Sequence, residues 1–415
     1  MRRSGLVALL LGVAVLAAAC GSGTDEGSPP REARLVDTER LRAVDESVVR
    51  ETAASVNAFG FDLQRALLAE GEGGNVVTSP LSAALLLGMV GSGAGGATAE
   101  EMAAVLHLER LDDDRLGALI QAVSDGGDVE LEIANSLWAN DAVLRDEYRR
   151  FVADVYGASL EQASLSDPAT VGRIDDWVSD NTNGKIEAIA ADLGVPNPNL
   201  VVVLLNAVYF QGTWTTEFDP ARTSDLAFTL SDGSDVAVPM MSRPSADGAV
   251  ETAQRDGYEV LRLPYGEDER FAMEIYLPAW DRDVAWMVEH LDLAEREAAL
   301  SELSGRALDV RLPRFEVEWK SGLVPSLQAL GMESAFGPTA DFRAMSEANP
   351  SLSDVVQKTY IRVDEKGTEA AAVTGGVMST SAPPSFNVNR PFLLAISDQE
   401  TGAVLFLGTI EDPRA

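Results

Sequence analysis

DEKGTEAAAVTGGVMSTSAPP, residues 364–384, follows directly on Val355 to Val363, an alternating run with the pattern of a strand. A strand end normally carries turn chemistry. Here the chain continues as small, β-tolerant residues and closes on Pro383-Pro384. Such a stretch is a poor loop anchor and a poor helix. It suits a segment exposed in one state that slides into a sheet as an extra strand in another.

Outward from this segment, the chain has 415 residues, 46% hydrophobic and only 6% aromatic, which describes a globular protein. Length alone allows two or three domains. The formal net charge is −34. That charge repels nucleic acid, heparin-like polyanions and anionic lipid, and it favours solubility. A solvated acidic surface accounts for it without a partner.

Residues 1–19 read as a secretion signal: Arg2-Arg3, an apolar stretch from Leu6 to Leu16, then Ala17-Ala18-Ala19. The apolar stretch is too short for a membrane span. Cys20, the only cysteine, follows at once and leaves no disulfide framework. The arrangement resembles a bacterial lipoprotein signal, in which the cysteine becomes the lipidated first residue; a plain signal peptide with an incidental cysteine is the alternative. Ala17 stands where leucine is commoner in that motif. Residues 20–45 are rich in glycine, proline and polar side chains and read as a tether. These features lead us to expect an extracellular protein held at the outer face of a cell membrane.

From residue 46 to 415 no second linker and no repeat appears, so one large domain is the default. Val49, Ala53, Val56, Phe59, Leu63 and Leu67 recur at helical spacing. Ser79-Pro80-Leu81-Ser82 opens another apolar helix. Thr98-Ala-Glu-Glu101 has the spacing of a capping box for the helix after it. Val129, Leu131 and Ile133 alternate, and Val201 to Phe210 is almost continuously apolar, as a strand buried on both faces would be. Phe271 to Leu277 alternates. Leu308, Val310 and Leu312 alternate in one phase and Phe315, Val317 and Trp319 in the other, with Pro313 at the switch, which suggests a bulge or an edge. Phe392 to Ser397 and Ala403 to Ile410 form a C-terminal pair. The fold class is α+β with large antiparallel sheets.

No enzyme constellation can be assembled. His107 and His290 are the only histidines, and neither accompanies a Gly-x-Ser-x-Gly elbow. Two dispersed histidines and one cysteine leave no zinc spacing. The glycines at 91–96 lack the lysine of a phosphate-binding loop. No cofactor site and no metal site is expected.

Read together, several passages resemble the serpins, the serine-protease-inhibitor family, from about residue 46 to 413. They are Asn75 to Ser82, Gly95 to Leu106, Leu204 to Trp214, Val238-Pro-Met-Met241, Leu312-Pro-Arg-Phe315, Val363 to Ala372 and Asn389-Arg-Pro-Phe392. The resemblance implies a domain of three sheets and eight or nine helices with an exposed reactive-centre loop near the C-terminus. It also implies a suicide inhibitor, monomeric and not an enzyme: a target serine protease attacks the loop, forms a covalent acyl complex, and is carried off as the loop enters the large sheet. Some members of the family do not inhibit, and a surface binding or structural protein is the second reading.

The hinge chemistry favours inhibition. Thr368, Ala370, Ala372 and Thr374 share one face of an extended strand and are all small and uncharged. Glu369, Ala371 and Val373 share the other, where the carboxylate keeps its water. A charge on the first face would be costly to bury, and a proline would delete ladder hydrogen bonds; neither occurs before Pro383. Gly367 to Thr380 spans roughly 45 Å when extended. Family spacing places the reactive bond at Thr380–Ser381, with Ser381–Ala382 and Met378–Ser379 as alternatives. No lysine or arginine lies between Gly367 and Asn389. A trypsin-like pocket therefore has nothing to bind, and elastase-like or subtilisin-like proteases remain.

By the same resemblance Trp214 matches the tryptophan where the loop would enter the sheet, a plain core tryptophan being the competing reading. Ser79, Ser82, Asn135 and Asn206 match polar groups beneath strands that must part. Gln357 stands where many family members have histidine, so it can hydrogen-bond but not titrate. Arg314 and Glu365 match a pair at the base of the loop and are expected within salt-bridge distance.

Overall fold

Periodicity turns into packing first at α2, Glu46–Ala69, whose Val49, Ala53, Val56, Phe59, Leu63 and Leu67 are all buried. The Asp45 side chain caps it by accepting from the N–H of Ser47. A computed structural model of the chain describes residues 38–71, 73–124, 128–140, 144–182, 184–200, 202–352, 355–367 and 384–415. Ahead of α2 stands the short α1, Thr38–Arg42, with Leu41 buried and Arg40 paired to Asp114. α1 thus falls inside the stretch expected as tether.

The remaining helices are α3 (Pro80–Gly91), α4 (Gly96–Val105), α5 (Arg115–Ser124), α6 (Asp146–Tyr156), α7 (Pro168–Asp180), α8 (Val284–His290), α9 (Leu293–Ser301) and α10 (Val324–Ala329). Ten are present among the described residues, one or two more than expected. The Ser79 hydroxyl caps α3, with Pro80 in its first turn. The capping box does not form: α4 starts after Gly95 with no side-chain cap. Thr98 and Glu101 lie inside the helix and face the distant turn Ser334–Phe336 instead. Glu101 accepts from the Ser334 hydroxyl and from the N–H groups of Ser334 and Glu333 at 2.7, 2.7 and 3.0 Å. Those bonds, the hydroxyl's first, outweigh burial and hold the Glu101 carboxyl below the usual carboxylate range.

Seven strands form one sheet in the order β1 (Val76–Thr78), β16 (Val404–Ile410), β15 (Phe392–Asp398), β9 (Phe271–Pro278), β8 (Tyr258–Tyr265), β7 (Val250–Arg255), β10 (Ser304–Arg306). Every residue of β9, β15 and β16 is buried, the signature of a sheet covered on both faces. At its heart the fully buried Glu274 takes two bonds from Arg296, at 2.6 and 2.8 Å, with Ser397 and Tyr276 donating to its oxygens at 2.5 and 2.6 Å. Burial alone would raise its pKa; the Arg296 charge and these hydrogen bonds keep it below the usual carboxylate range.

A second sheet runs β14 (Ser385–Asn387), β11 (Asp309–Pro313), β6 (Asp235–Arg243), β5 (Ser224–Thr229). The phase switch at Pro313 is neither bulge nor edge. The chain leaves β11 in this sheet and enters β12 (Phe315–Gly322) in another, so the alternation restarts because the buried side has changed. The α+β class holds. The three expected sheets appear as four hydrogen-bonded sets because the last is divided. It consists of β3 (Ser159–Gln162), β2 (Glu130–Ala139) and β4 (Val202–Gln211) in one set, and β12 with β13 (Val356–Val363) in the other.

Candidate functional site at the divided sheet

β2 and β4 pair antiparallel over their whole lengths, and so do β12 and β13. Among the described residues β4 and β13 are not ladder neighbours. The chain meets itself just past the C-terminal ends of both strands. There Thr213 bridges Gly367, the N–H of Trp214 donates to Lys366 O at 2.6 Å, and the N–H of Phe218 donates to Glu365 O at 2.7 Å. The result is a seam, closed at one end by a few bonds.

Trp214 is the centre of that closure. Its indole Nε1 donates to Asp364 O at 2.9 Å, and its ring stacks on Tyr265 with centroids 4.4 Å apart. It is also buried in the main core, as the core reading expects. Gly367 is forced to be glycine twice over. Its φ is +140°, and a Cβ there would lie 2.0 Å from Gly212 O and 2.8 Å from Trp214 N. The turn between is held by the Asp364 N–H donating to Gly367 O and the Lys366 N–H donating to the Asp364 carboxylate.

Arg314 Nη1 lies 3.7 Å from Glu365 Oε1, and the Thr223 hydroxyl donates to the same oxygen at 2.7 Å. The arginine is half exposed and the pair is long, so its worth is at most about 1 kcal/mol.

Beneath the seam, β13 is pinned to the layer below by side chains. Gln357 accepts from the Ser79 N–H at 3.1 Å and donates to Ser79 O at 3.0 Å, one amide imitating a strand partner. The Thr359 hydroxyl donates to Val77 O at 2.5 Å. The Ser79 hydroxyl donates to Leu405 O at 2.6 Å while accepting from the N–H of Ser82 at 3.3 Å. Ser79, Ser82 and Gln357 therefore come together. Asn135 and Asn206 are placed directly opposite each other in the β2–β4 ladder. The Gln357 clasp spans 278 residues of sequence and has no local signature; residue type alone hinted at it.

Thr368, Glu369, Ala370, Ala371, Ala372, Thr374, Met378, Ser379, Thr380, Ser381, Ala382 and Cys20 lie outside the described residues. The chain is described again from Pro384, whose carbonyl accepts from the Asp309 N–H, and Ser385–Asn387 run parallel to β11. Sixteen residues thus connect the closed end of the seam to the edge of the second sheet. Among the described residues no cluster of histidine, cysteine, aspartate and glutamate could hold a metal ion.

A divided sheet, a glycine-tight turn and a long connection to a neighbouring sheet together pose the question of family. The family model described as Serpin (serine protease inhibitor) matches residues 54–413. The chain belongs to the serpin family. It is 34% identical over 392 residues to an uncharacterized serpin-like protein of Thermococcus kodakarensis, covering 91% of this chain and 89% of that one. It is 34% identical over 368 residues to human Serpin B8, covering 86% and 97%. Among solved structures it resembles the native state of tengpin, a thermophilic serpin, with a TM-score of 0.78, 28% identity, and coverage of 89% and 95%. Serpins are in general protease inhibitors rather than enzymes, and they bind target proteases.

Proposed function

We propose that this serpin is a suicide inhibitor of elastase-like or subtilisin-like serine proteases. The observation that carries the reading is the seam: β4 and β13 belong to separate ladders and are joined just past their C-terminal ends, where the bait-bearing segment departs. The segment after Gly367 alternates small uncharged residues, as a strand entering that seam must, and is long enough to cross it. In this reading the protease serine attacks the Thr380 carbonyl and releases the Ser381 amine, leaving an acyl-enzyme. Insertion of residues 367–380 then removes the protease before water completes hydrolysis. A bait without lysine or arginine selects a small or medium apolar pocket.

The N-terminal segment supports a lipid-anchored bacterial protein on the outer face of its membrane, with Cys20 as the acylated residue. Mass spectrometry of the mature N-terminus tests that part by itself. For the inhibitor, incubation with subtilisin and with an elastase should give an SDS-stable complex, and cleavage of the loop should raise thermal stability. Thr368→Arg should abolish the complex and leave a substrate, with the melting temperature of the uncleaved protein unchanged. Rapid turnover of the parent protein, without complex or stabilisation, would favour a non-inhibitory surface protein.

A further inference from the structure

Three arginines are buried among the described residues, Arg243, Arg270 and Arg296, at 5, 7 and 4% exposure. Two of them are held by carboxylates through paired hydrogen bonds. Arg296 meets Glu274 at 2.6 and 2.8 Å, and Arg270 meets Asp398 at 2.9 Å through both Nε and Nη2. Arg243 has no such partner. Its one hydrogen bond runs from Nη1 to Thr216 O at 3.4 Å, and no carboxylate of the described residues lies within ion-pair distance. Loss of water pulls its pKa below the usual arginine value. Only Asp247, in the exposed turn after β6, opposes this, and it acts from further off.

Strand register explains why the group is buried. Arg243 ends β6 directly opposite Val310 of β11, which is itself opposite Phe386 of β14. Directly paired residues share a face, so the arginine stem completes a row of buried apolar side chains. Its head reaches Thr216, midway between Trp214 and Phe218, whose N–H groups hold Lys366 O and Glu365 O. No Arg243 nitrogen is among the sealed polar atoms that lack a partner, so the unbonded part of the fork ends at a narrow opening. The Thr216 hydroxyl, on the residue whose carbonyl the arginine holds, makes no hydrogen bond either. A charge kept in such a place without a counter-ion is costly. A methionine would fill the same row without that cost.

We propose that Arg243 is the centre of a binding site for a carboxylate, which supplies the counter-ion that the fold withholds. A planar fork with unused donors matches a carboxylate's two oxygens, and the buried row beside it accommodates a short apolar stem. A dianion such as phosphate fits less well, because Asp247 and the net charge of −34 both act against it. The carboxylate comes either from a small free acid or from an acidic side chain of a bound protein. An occupant bonded to Arg243 braces segment 213–218, and through it the carbonyls of Glu365 and Lys366. The site stands whether or not the chain inhibits a protease.

The test compares the parent chain with Arg243→Met and Arg243→Lys in urea unfolding, with sodium acetate replacing sodium chloride at constant ionic strength. In chloride, Arg243→Met should be at least as stable as the parent, because it removes an unpaired buried charge. In acetate the order should reverse. At ten times the dissociation constant the parent's unfolding constant should fall about eleven-fold. Arg243→Met should not respond, and Arg243→Lys should respond less than the parent, having lost the fork. An acetylated, amidated Ala-Glu-Ala peptide and its glutamine counterpart separate the two sources. A glutamate peptide that acts at lower concentration than acetate assigns the site to a protein side chain, and any other order assigns it to a free acid. Guanidinium NMR of the folded parent reads binding even if Arg243→Met does not fold: the one resonance missing from Arg243→Lys should shift with acetate. An equal acetate effect in the parent and Arg243→Met is a bulk salt effect and overturns the site, as does an unshifted Arg243 resonance. Destabilisation of Arg243→Met in chloride, with no acetate response in the parent, marks a structural arginine and overturns it as well.

Discussion

The seven-stranded sheet and the divided sheet are built from similar strands and held by opposite means. In the first, β9, β15 and β16 are buried along their whole lengths, and the ion pair at their centre, Glu274–Arg296, is almost wholly buried. In the second, the joining is done by one amide, one stacked tryptophan and ion pairs with at least one partner in solvent. A buried pair is hard to break because removing either member strands a charge. An exposed pair is exchanged for water at little cost. Strong ties thus mark the seven-stranded sheet, and weak ties the seam of the divided one.

The contrast should break most sharply at Arg296. Arg296→Met leaves Glu274 buried without its cation and should cost about 3–5 kcal/mol in urea unfolding. The double variant Glu274→Leu/Arg296→Met should recover much of that. Because the folded pKa of Glu274 is depressed, its contribution is in place above the ordinary glutamate value and is lost as the pH falls through the folded one. Without Arg296, burial raises the Glu274 pKa instead, so the variant's deficit should be largest at neutral pH and shrink as acid protonates Glu274; a deficit that does not change with pH would mean the pair is not what secures this sheet.

Gln357→Leu comes next. It orphans the buried N–H of Ser79, whose carbonyl keeps the Ala83 N–H as a donor, and should cost about 1–3 kcal/mol, read as a lower melting temperature. Gln357→His restores donor and acceptor only while neutral. Burial opposes its protonation, so its stability should be full above about pH 6.5 and fall as the pH drops; the glutamine parent should be flat over the same range. Gly367→Ala should cost roughly 1–3 kcal/mol through backbone strain at the closed end of the seam, leaving the loop-cleaved form untouched. Arg314→Ala is the smallest change, under about 1 kcal/mol, readable as a difference in melting temperature that vanishes in high salt. A large effect there would erase the distinction between the two sheets.

Much of this was legible in the residues because it is local. The stripe of α2, the first-turn proline of α3 and the apolar run of β4 each depend on neighbours within a turn or a strand. The alternation of small residues after Gly367 is local too, and it lies outside the described residues. What escaped depends on distant partners. Thr98 and Glu101 have the spacing of a local cap, yet Glu101 bonds to a turn 233 positions away at Ser334, which competes for the same oxygen. Pro313 reads as a defect in one strand because sequence does not record a change of sheet. That β4 and β13 are neighbours without being paired is a fact about strand choice, and no single strand carries it.

The scarcity of lysine has a practical consequence. The chain has four, Lys185, Lys320, Lys358 and Lys366, against twenty-eight arginines. Lys185 stands over Tyr360 of β13, Lys320 pairs with Asp192, Lys358 pairs with Glu318 across the β12–β13 ladder, and Lys366 sits in the turn between Asp364 and Gly367. Every side-chain amine thus stands on or beside the seam. Apart from any free N-terminal amine, an amine-selective reagent would mark the surroundings of the seam alone, and its mass increments would be a footprint of that region.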